Sequence, residues 1–129
     1  MAAVKSSSTI QENKKLALNL CPVSYVMERI GGYWKPFILY YLAKEEKRYS
    51  ELRREIPAVT EKMLIQHLKE LEADGIIVRK AKPVVPPHVT YCLSDSGKGL
   101  IPVIEAMAQW AIKENRHTIK PSQWYRPIR

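Results

Sequence analysis

The sequence predicts a mainly α-helical domain that carries one small β-hairpin. Three observations predict it. Apolar residues recur at helical spacing in several segments with clear start and stop signals. The period changes from 3.6 to 2 after Gly75, and a long final segment returns to helical spacing. With 129 residues, the chain has room for one domain with a real core and too little for two ordinary ones. Apolar residues make up 46% of it, which suits a globular fold rather than a disordered one. Residues 1–13 read as a flexible, polar leader, 14–115 as the folded domain, and 116–129 as an irregular basic tail.

Pro22 suits the first position of a helix, where its missing N–H would be unpaired anyway. Val23, Val26, Met27 and Ile30 follow at helical spacing, and Gly31-Gly32 ends the segment. A second helix runs from Trp34 or Lys35 to about Ala43, with Pro36 in its first turn. Lys44 to Lys47 is charged and turn-like, and Tyr49 suits a very short strand or a staple. Ser50 reads as the N-cap of a short helix, Glu51 to about Ile56, which Pro57 stops. Thr60 caps a longer helix from Glu61 to about Asp74, and Gly75 ends it in left-handed backbone. Ile76 to Lys82 and Val89 to Leu93 alternate as two strands. The three prolines of Pro83 to His88 forbid pairing there and make it the hairpin tip. Ser94 then caps a final long helix to about Asn115, kinked at Pro102.

A short helix, a tight turn and a longer helix make a helix-turn-helix unit, and a following hairpin with a projecting tip makes a wing. The expected fold is therefore a winged helix-turn-helix. The Glu61–Asp74 helix divides as a recognition helix must. Leu64, Leu68 and Leu71 form an anchoring stripe, and Lys62, Gln66, Lys69 and Ala73 lie opposite, with Met63 and Glu70 at one edge. Such a helix can carry long polar side chains into a DNA major groove, Gln toward adenine and Lys toward guanine. Ser50, Thr60, Lys62, Met63, Gln66 and Lys69 are the candidate contacts from this unit, with Thr60 and Lys62 near phosphates. Arg79, Lys80, Lys82 and His88 are the candidates from the wing. The plain alternatives are a solvated amphipathic helix and a charged hairpin that keeps its edge soluble.

Charge alone does not make the case. The net charge is +8, but residues 44–82 hold ten Lys/Arg against eight Asp/Glu, a net of +2. Residues 113–129 hold five against one, a net of +4, so much of the excess lies in the tail. No apolar run of membrane-spanning length and no secretory signal is present, which makes the cytoplasm the expected location. Cys21 and Cys92 make no disulfide framework, and Cys92 is expected to pack inward from its strand. His67, His88 and His117 lack metal-ligand spacing with either cysteine. No phosphate loop, catalytic triad or paired carboxylates point to an enzyme. No cofactor is expected.

The sequence resembles the HxlR-type, MarR-like family of winged helix-turn-helix transcriptional regulators over about Cys21 to Ile112. Cys21-Pro22-Val23, Ile30 to Trp34, Tyr49 to Arg53, Lys62 to Gly75, Val85 to Tyr91 and Gly97 to Trp110 carry the resemblance. It implies a homodimer on an inverted-repeat operator in double-stranded DNA, with the first and last helices at the dimer interface. The pattern itself supports this. The final helix is apolar nearly all round, so it needs cover on more than one side. The candidate interface is Val23, Val26, Met27 and Ile30 with Val103, Ile104, Met107, Trp110 and Ala111. The alternative is a helix buried in a monomer.

In some members of the family a cysteine at the place of Cys21 senses quinones, aldehydes or hypochlorite-type stress. Here Cys21 directly precedes a helix N-terminus, where free N–H groups and the dipole favour an anionic, reactive sulfur. The opposing reading is a small buried apolar thiol. His67 departs from the family's usual Arg and Cys92 from its usual Ser, and the Pro121–Arg129 tail runs past its usual end. The rival function is a protein-interaction module on a winged-helix scaffold, without specific DNA binding.

Overall fold

The computed structural model describes residues 9–13, 21–86 and 88–115. The tail 116–129 and Pro87 lie outside the described residues. The chain divides into two compact units, Met1–Gly32 and Tyr33–Arg129. In the first unit, residues 9–13 are helical and exposed. Its well-defined helix is α1 (Pro22–Ile30), with Cys21 at the N-cap and Pro22 opening the first turn. The Gly31 N–H donates to the Met27 carbonyl at 2.9 Å and closes the helix. Ile30 is buried, whereas Val23 and Met27 are exposed.

The second unit holds the rest. Helices α2 (Lys35–Lys44), α3 (Tyr49–Glu55) and α4 (Glu61–Ala73) are followed by strands β2 (Ile77–Lys82) and β3 (His88–Leu93), the short helix α5 (Asp95–Lys98) and α6 (Ile101–Asn115). Strand β1 (Lys47–Arg48) lies between α2 and α3. The antiparallel sheet has the order β1-β3-β2. Helix α2 packs on β3 and α6, α3 on β1 and β3, and α4 on β2. The core comprises Ile38, Leu39 and Leu42 of α2, Leu52 of α3, Leu64, Leu68 and Leu71 of α4, Ile76 and Ile77, Leu93 and Ile104. Each fully buried leucine contributes about 1.5–3 kcal/mol.

The helix-turn-helix is held by local chemistry. The Ile56 N–H donates to the Leu52 carbonyl at 2.9 Å and closes α3. Arg53 Nη1 donates to the Val59 carbonyl and braces the turn. The Thr60 hydroxyl accepts from the Met63 N–H at 3.2 Å, so Thr60 caps α4 as the sequence predicts. At the far end Gly75 has φ +73°, a conformation that favours glycine. The N–H groups of Gly75 and Ile76 reach back to the carbonyls of Glu72 and Leu71, both at 3.0 Å, a Schellman closure.

Four local expectations are corrected. Ser50 is not the N-cap of α3, because the helix starts at Tyr49. The Arg48 N–H is taken by Glu51 Oε1 at 2.9 Å, so an acidic side chain closes this end instead of a hydroxyl. Lys47 is not a turn residue but a buried member of β1, paired with Tyr91. The hairpin tip is narrower than expected, because His88 already pairs with Lys82. The final helix is two helices rather than one kinked at Pro102. Leu100 N–H bonds to the Gly97 carbonyl at 3.0 Å, a tighter turn. Pro102, with no N–H to give back to the preceding turn, falls in the first turn of α6, where that lack is harmless.

Candidate nucleic-acid interface

Helix α4 divides into two faces. Leu64, Leu68 and Leu71 are at most 2% exposed and hold it to the core. Thr60, Lys62, Met63, Gln66 and Lys69 are all exposed, with Met63 at 41%. Ser50 is exposed on α3. The Thr60 hydroxyl already accepts the Met63 N–H, and its own hydrogen remains to donate to a phosphate. His67 is half-buried between the two faces, and its Nδ1 is buried with no hydrogen-bond partner.

The polar face is not a row of independent side chains. Gln66 Nε2 donates to Glu70 Oε1 at 2.8 Å, one turn along. Glu70 Oε2 accepts from Lys35 Nζ of α2 at 2.6 Å. Lys35 is almost wholly buried, with its side chain 8% exposed against 40% for Glu70. The Lys35 hydrogen bond first, then that of Gln66, holds the Glu70 carboxyl below its ordinary range. A second buried cation secures α3. Lys47 Nζ lies 3.1 Å from Glu45 Oε1 and 3.5 Å from Glu55 Oε1. Burial opposes its charge, but these carboxylates outweigh burial and raise the Lys47 pKa.

The register of the wing divides its cations between two faces. Paired residues share a face, so Arg79 stands with Tyr91 on the side of Ile77 and Leu93. Lys80 with Thr90, and Lys82 with His88, stand on the other side together with Val78 and Cys92. Arg79, Lys80 and Lys82 are exposed and His88 is half-buried. Lys80 is already paired: its Nζ lies 3.4 Å from Glu46 Oε1, which also accepts from the Thr90 hydroxyl at 2.9 Å. The Glu46 bond is the main cause of a raised Lys80 pKa. The same register corrects the expectation for Cys92. It is half-exposed on the face opposite Ile77 and Leu93, because the strand alternates and Leu93 takes the inward position.

Cys21 is exposed, and its side chain makes no capping hydrogen bond. Among the described residues no group of three or more His, Cys, Asp or Glu could hold a metal ion, and no helix is long and apolar enough to cross a membrane. Of the expected dimer residues, Val103, Met107 and Trp110 are exposed at 41, 47 and 66%. Ile104 is buried within its own chain and Ala111 is half-buried. Lys35 and Glu46 are the residues that sequence reasoning did not bring to this surface, and Glu70, expected at the edge of the polar face, was given no partner. The Gln66–Glu70 spacing of four was a usable signal. The Lys35 and Glu46 partnerships join distant parts of the chain and had none.

An exposed polar face on an anchored second helix, with a hairpin wing behind it, defines a winged helix-turn-helix transcriptional regulator. Comparison with known proteins agrees. A family model described as HxlR-like helix-turn-helix matches residues 29–118. An uncharacterized HTH-type transcriptional regulator of Methanothermobacter thermautotrophicus is 42% identical over 98 residues, covering 76% of this chain and 75% of that protein. The structure of the redox regulator HypR in its oxidized form has a TM-score of 0.69 and 41% identity, covering 72% of this chain and 96% of that one. The reduced form of the transcriptional regulator YodB from B. subtilis has a TM-score of 0.64 and 32% identity, covering 78% and 96%. The chain belongs to the HxlR-like helix-turn-helix family.

Proposed function

We propose that the chain is a cytoplasmic, sequence-specific DNA-binding repressor that acts as a homodimer on an inverted-repeat operator. The observation that carries this reading is the division of α4. Its leucine stripe is buried and its Lys62, Met63, Gln66 and Lys69 face is open. In the major groove Gln66 and Lys69 meet base edges, while Thr60, Ser50 and Lys62 meet the backbone. Arg79, Lys82 and His88 of the wing lie along the phosphates, and Lys80 joins them by exchanging Glu46 for a phosphate oxygen. A dimer bound across a promoter blocks transcription by occupancy.

The second subunit is supported by the stripe Val103, Met107 and Trp110, spaced i, i+4 and i+7 on α6. A row of this kind on a helix already anchored through Ile104 needs cover. Val23 and Met27 of α1 add further exposed apolar surface. Two-fold symmetry then places two α4 helices about 34 Å apart, one turn of DNA.

Binding of a labelled duplex from the region upstream of its own gene tests the reading. Affinity should fall steeply and linearly on a log–log plot as salt rises, because phosphate contacts release counterions. Weak, salt-insensitive binding would favour the protein-interaction alternative.

Sensing through Cys21 belongs to the same reading. The sulfur is exposed at the start of α1, and HypR is a redox regulator of like structure. Addition of the Cys21 sulfur to a quinone ring carbon forms one S–C bond. The thiol proton passes to one quinone oxygen and the ring proton of the attacked carbon to the other, which leaves a hydroquinone thioether. A quinone should therefore change the DNA affinity of the wild type and leave Cys21→Ser unaffected. An equal response in both would remove Cys21 from the mechanism.

A further inference from the structure

The amide of Gln66 is not free to turn. Its Nε2 donates to one oxygen of Glu70, and the other oxygen of that carboxylate holds Lys35 Nζ. The Lys35 ammonium is buried at the first turn of α2 and comes from outside the recognition helix. An ionised carboxylate can only accept hydrogen bonds. Glu70 therefore takes the N–H side of the Gln66 amide and rejects the carbonyl side. A flip would set the Gln66 carbonyl oxygen against that carboxylate oxygen, so Glu70 biases the amide to one setting. What remains for a partner is Oε1 and the second N–H, in one order.

We infer that Glu70, pinned by Lys35, is a positioning residue that sets which hydrogen-bonding edge Gln66 shows to a base pair, and so sets the base preference there. The inference rests on the reading of Gln66 as a base contact. Adenine presents a donor and an acceptor side by side in the major groove, and an oriented amide matches that order. A freely turning amide can show either order, or two N–H groups to the paired acceptors of guanine, and so discriminates less. The Lys35 and Gln66 hydrogen bonds also keep Glu70 ionised, and hence accepting only, throughout the neutral range.

The test selects sites from a randomised duplex library with the full chain as wild type, Gln66→Ala, Glu70→Gln and Glu70→Asp. Gln66→Ala identifies the base pair that Gln66 reads. Glu70→Gln keeps the shape but can donate to the Gln66 carbonyl and so admits the flip. Glu70→Asp keeps the charge beside Lys35, withdraws by one methylene from Gln66, and preserves the fold if Glu70→Gln does not. Both Glu70 variants should lose about tenfold of discrimination at that base pair alone. Both should keep their preferences elsewhere and bind their best site within about threefold of wild type. In the Gln66→Ala background, Glu70→Asp should change nothing further at that pair. Wild-type preference at that pair in both Glu70 variants would overturn the inference. So would an even loss at every position, which marks a merely structural role. If Gln66→Ala leaves every preference unchanged, Gln66 reads no base and the underlying reading falls too.

Discussion

At the scale of single residues, the weight falls on two buried lysines that secure the two helices of the DNA-reading unit. The cost of breaking the Lys35–Glu70 pair depends on which partner is removed. Glu70→Ala strands an ammonium whose side chain is 8% exposed, whereas Lys35→Met leaves a carboxylate that is 40% exposed and can take water. Urea unfolding at neutral pH should show a loss of about 2 kcal/mol for the first and less than about 1 for the second. Both values lie below the fully buried range because the carboxylate is partly solvated. The pH dependence follows from the lowered Glu70 pKa. Relative to the ordinary value of 4.5, the folded carboxyl resists protonation. The unfolded chain therefore takes up more protons as acid is added. The contribution is complete above that value and is lost as pH falls through the folded-state pKa. Lys35→Met should lose stability less steeply than wild type between about pH 5 and pH 3. Equal slopes would mean that the pair does not couple to folding.

At the scale of elements, the sequence was most legible where one short-range signal sets the structure. Thr60 at the start of α4 and Gly75 at its end mark the helix almost to the residue, and the leucine spacing identifies its buried face. Pro22 and Gly31 do the same for α1. Legibility failed where two local signals competed. Ser50 looked like a cap, but Glu51 captured the Arg48 N–H. Pro102 looked like a kink inside one helix, but the Leu100 N–H turns back to the Gly97 carbonyl and a new helix starts at Ile101. Gly97 also shows a packing demand that no pattern reveals. A Cβ built there would stand 2.2 Å from the Ile76 carbonyl oxygen. Ser94 fastens the same crossing, because its hydroxyl reaches the Gly75 carbonyl at 2.6 Å and accepts the Gly97 N–H at 3.0 Å. Gly97→Ala must push backbone apart and should cost at least about 2 kcal/mol in thermal unfolding. A variant as stable as wild type would show that this contact yields easily.

At the scale of the whole molecule, the fold was readable in the sequence, but the use of charge was not. Composition counts Lys35 and Lys47 as cations available to DNA, yet each is buried and held by a glutamate of its own chain, and Lys80 must leave Glu46 to reach a phosphate. The site depends on where the remaining cations stand, and net charge hides that. The proposed dimer makes its own prediction. Trp110→Glu places a charge in the exposed α6 stripe without touching the buried core. Sedimentation should show the 14.9 kDa species for this variant and twice that mass for the wild type. A wild type that sediments only as the monomer at micromolar concentration would end the dimer reading. The central claim is that the open face of α4 reads DNA. The most direct test is the affinity of Lys62→Ala and Gln66→Ala for an operator duplex, measured beside their thermal unfolding. The account predicts about tenfold weaker binding for each, with unfolding temperatures unchanged. Normal binding by both variants would contradict it.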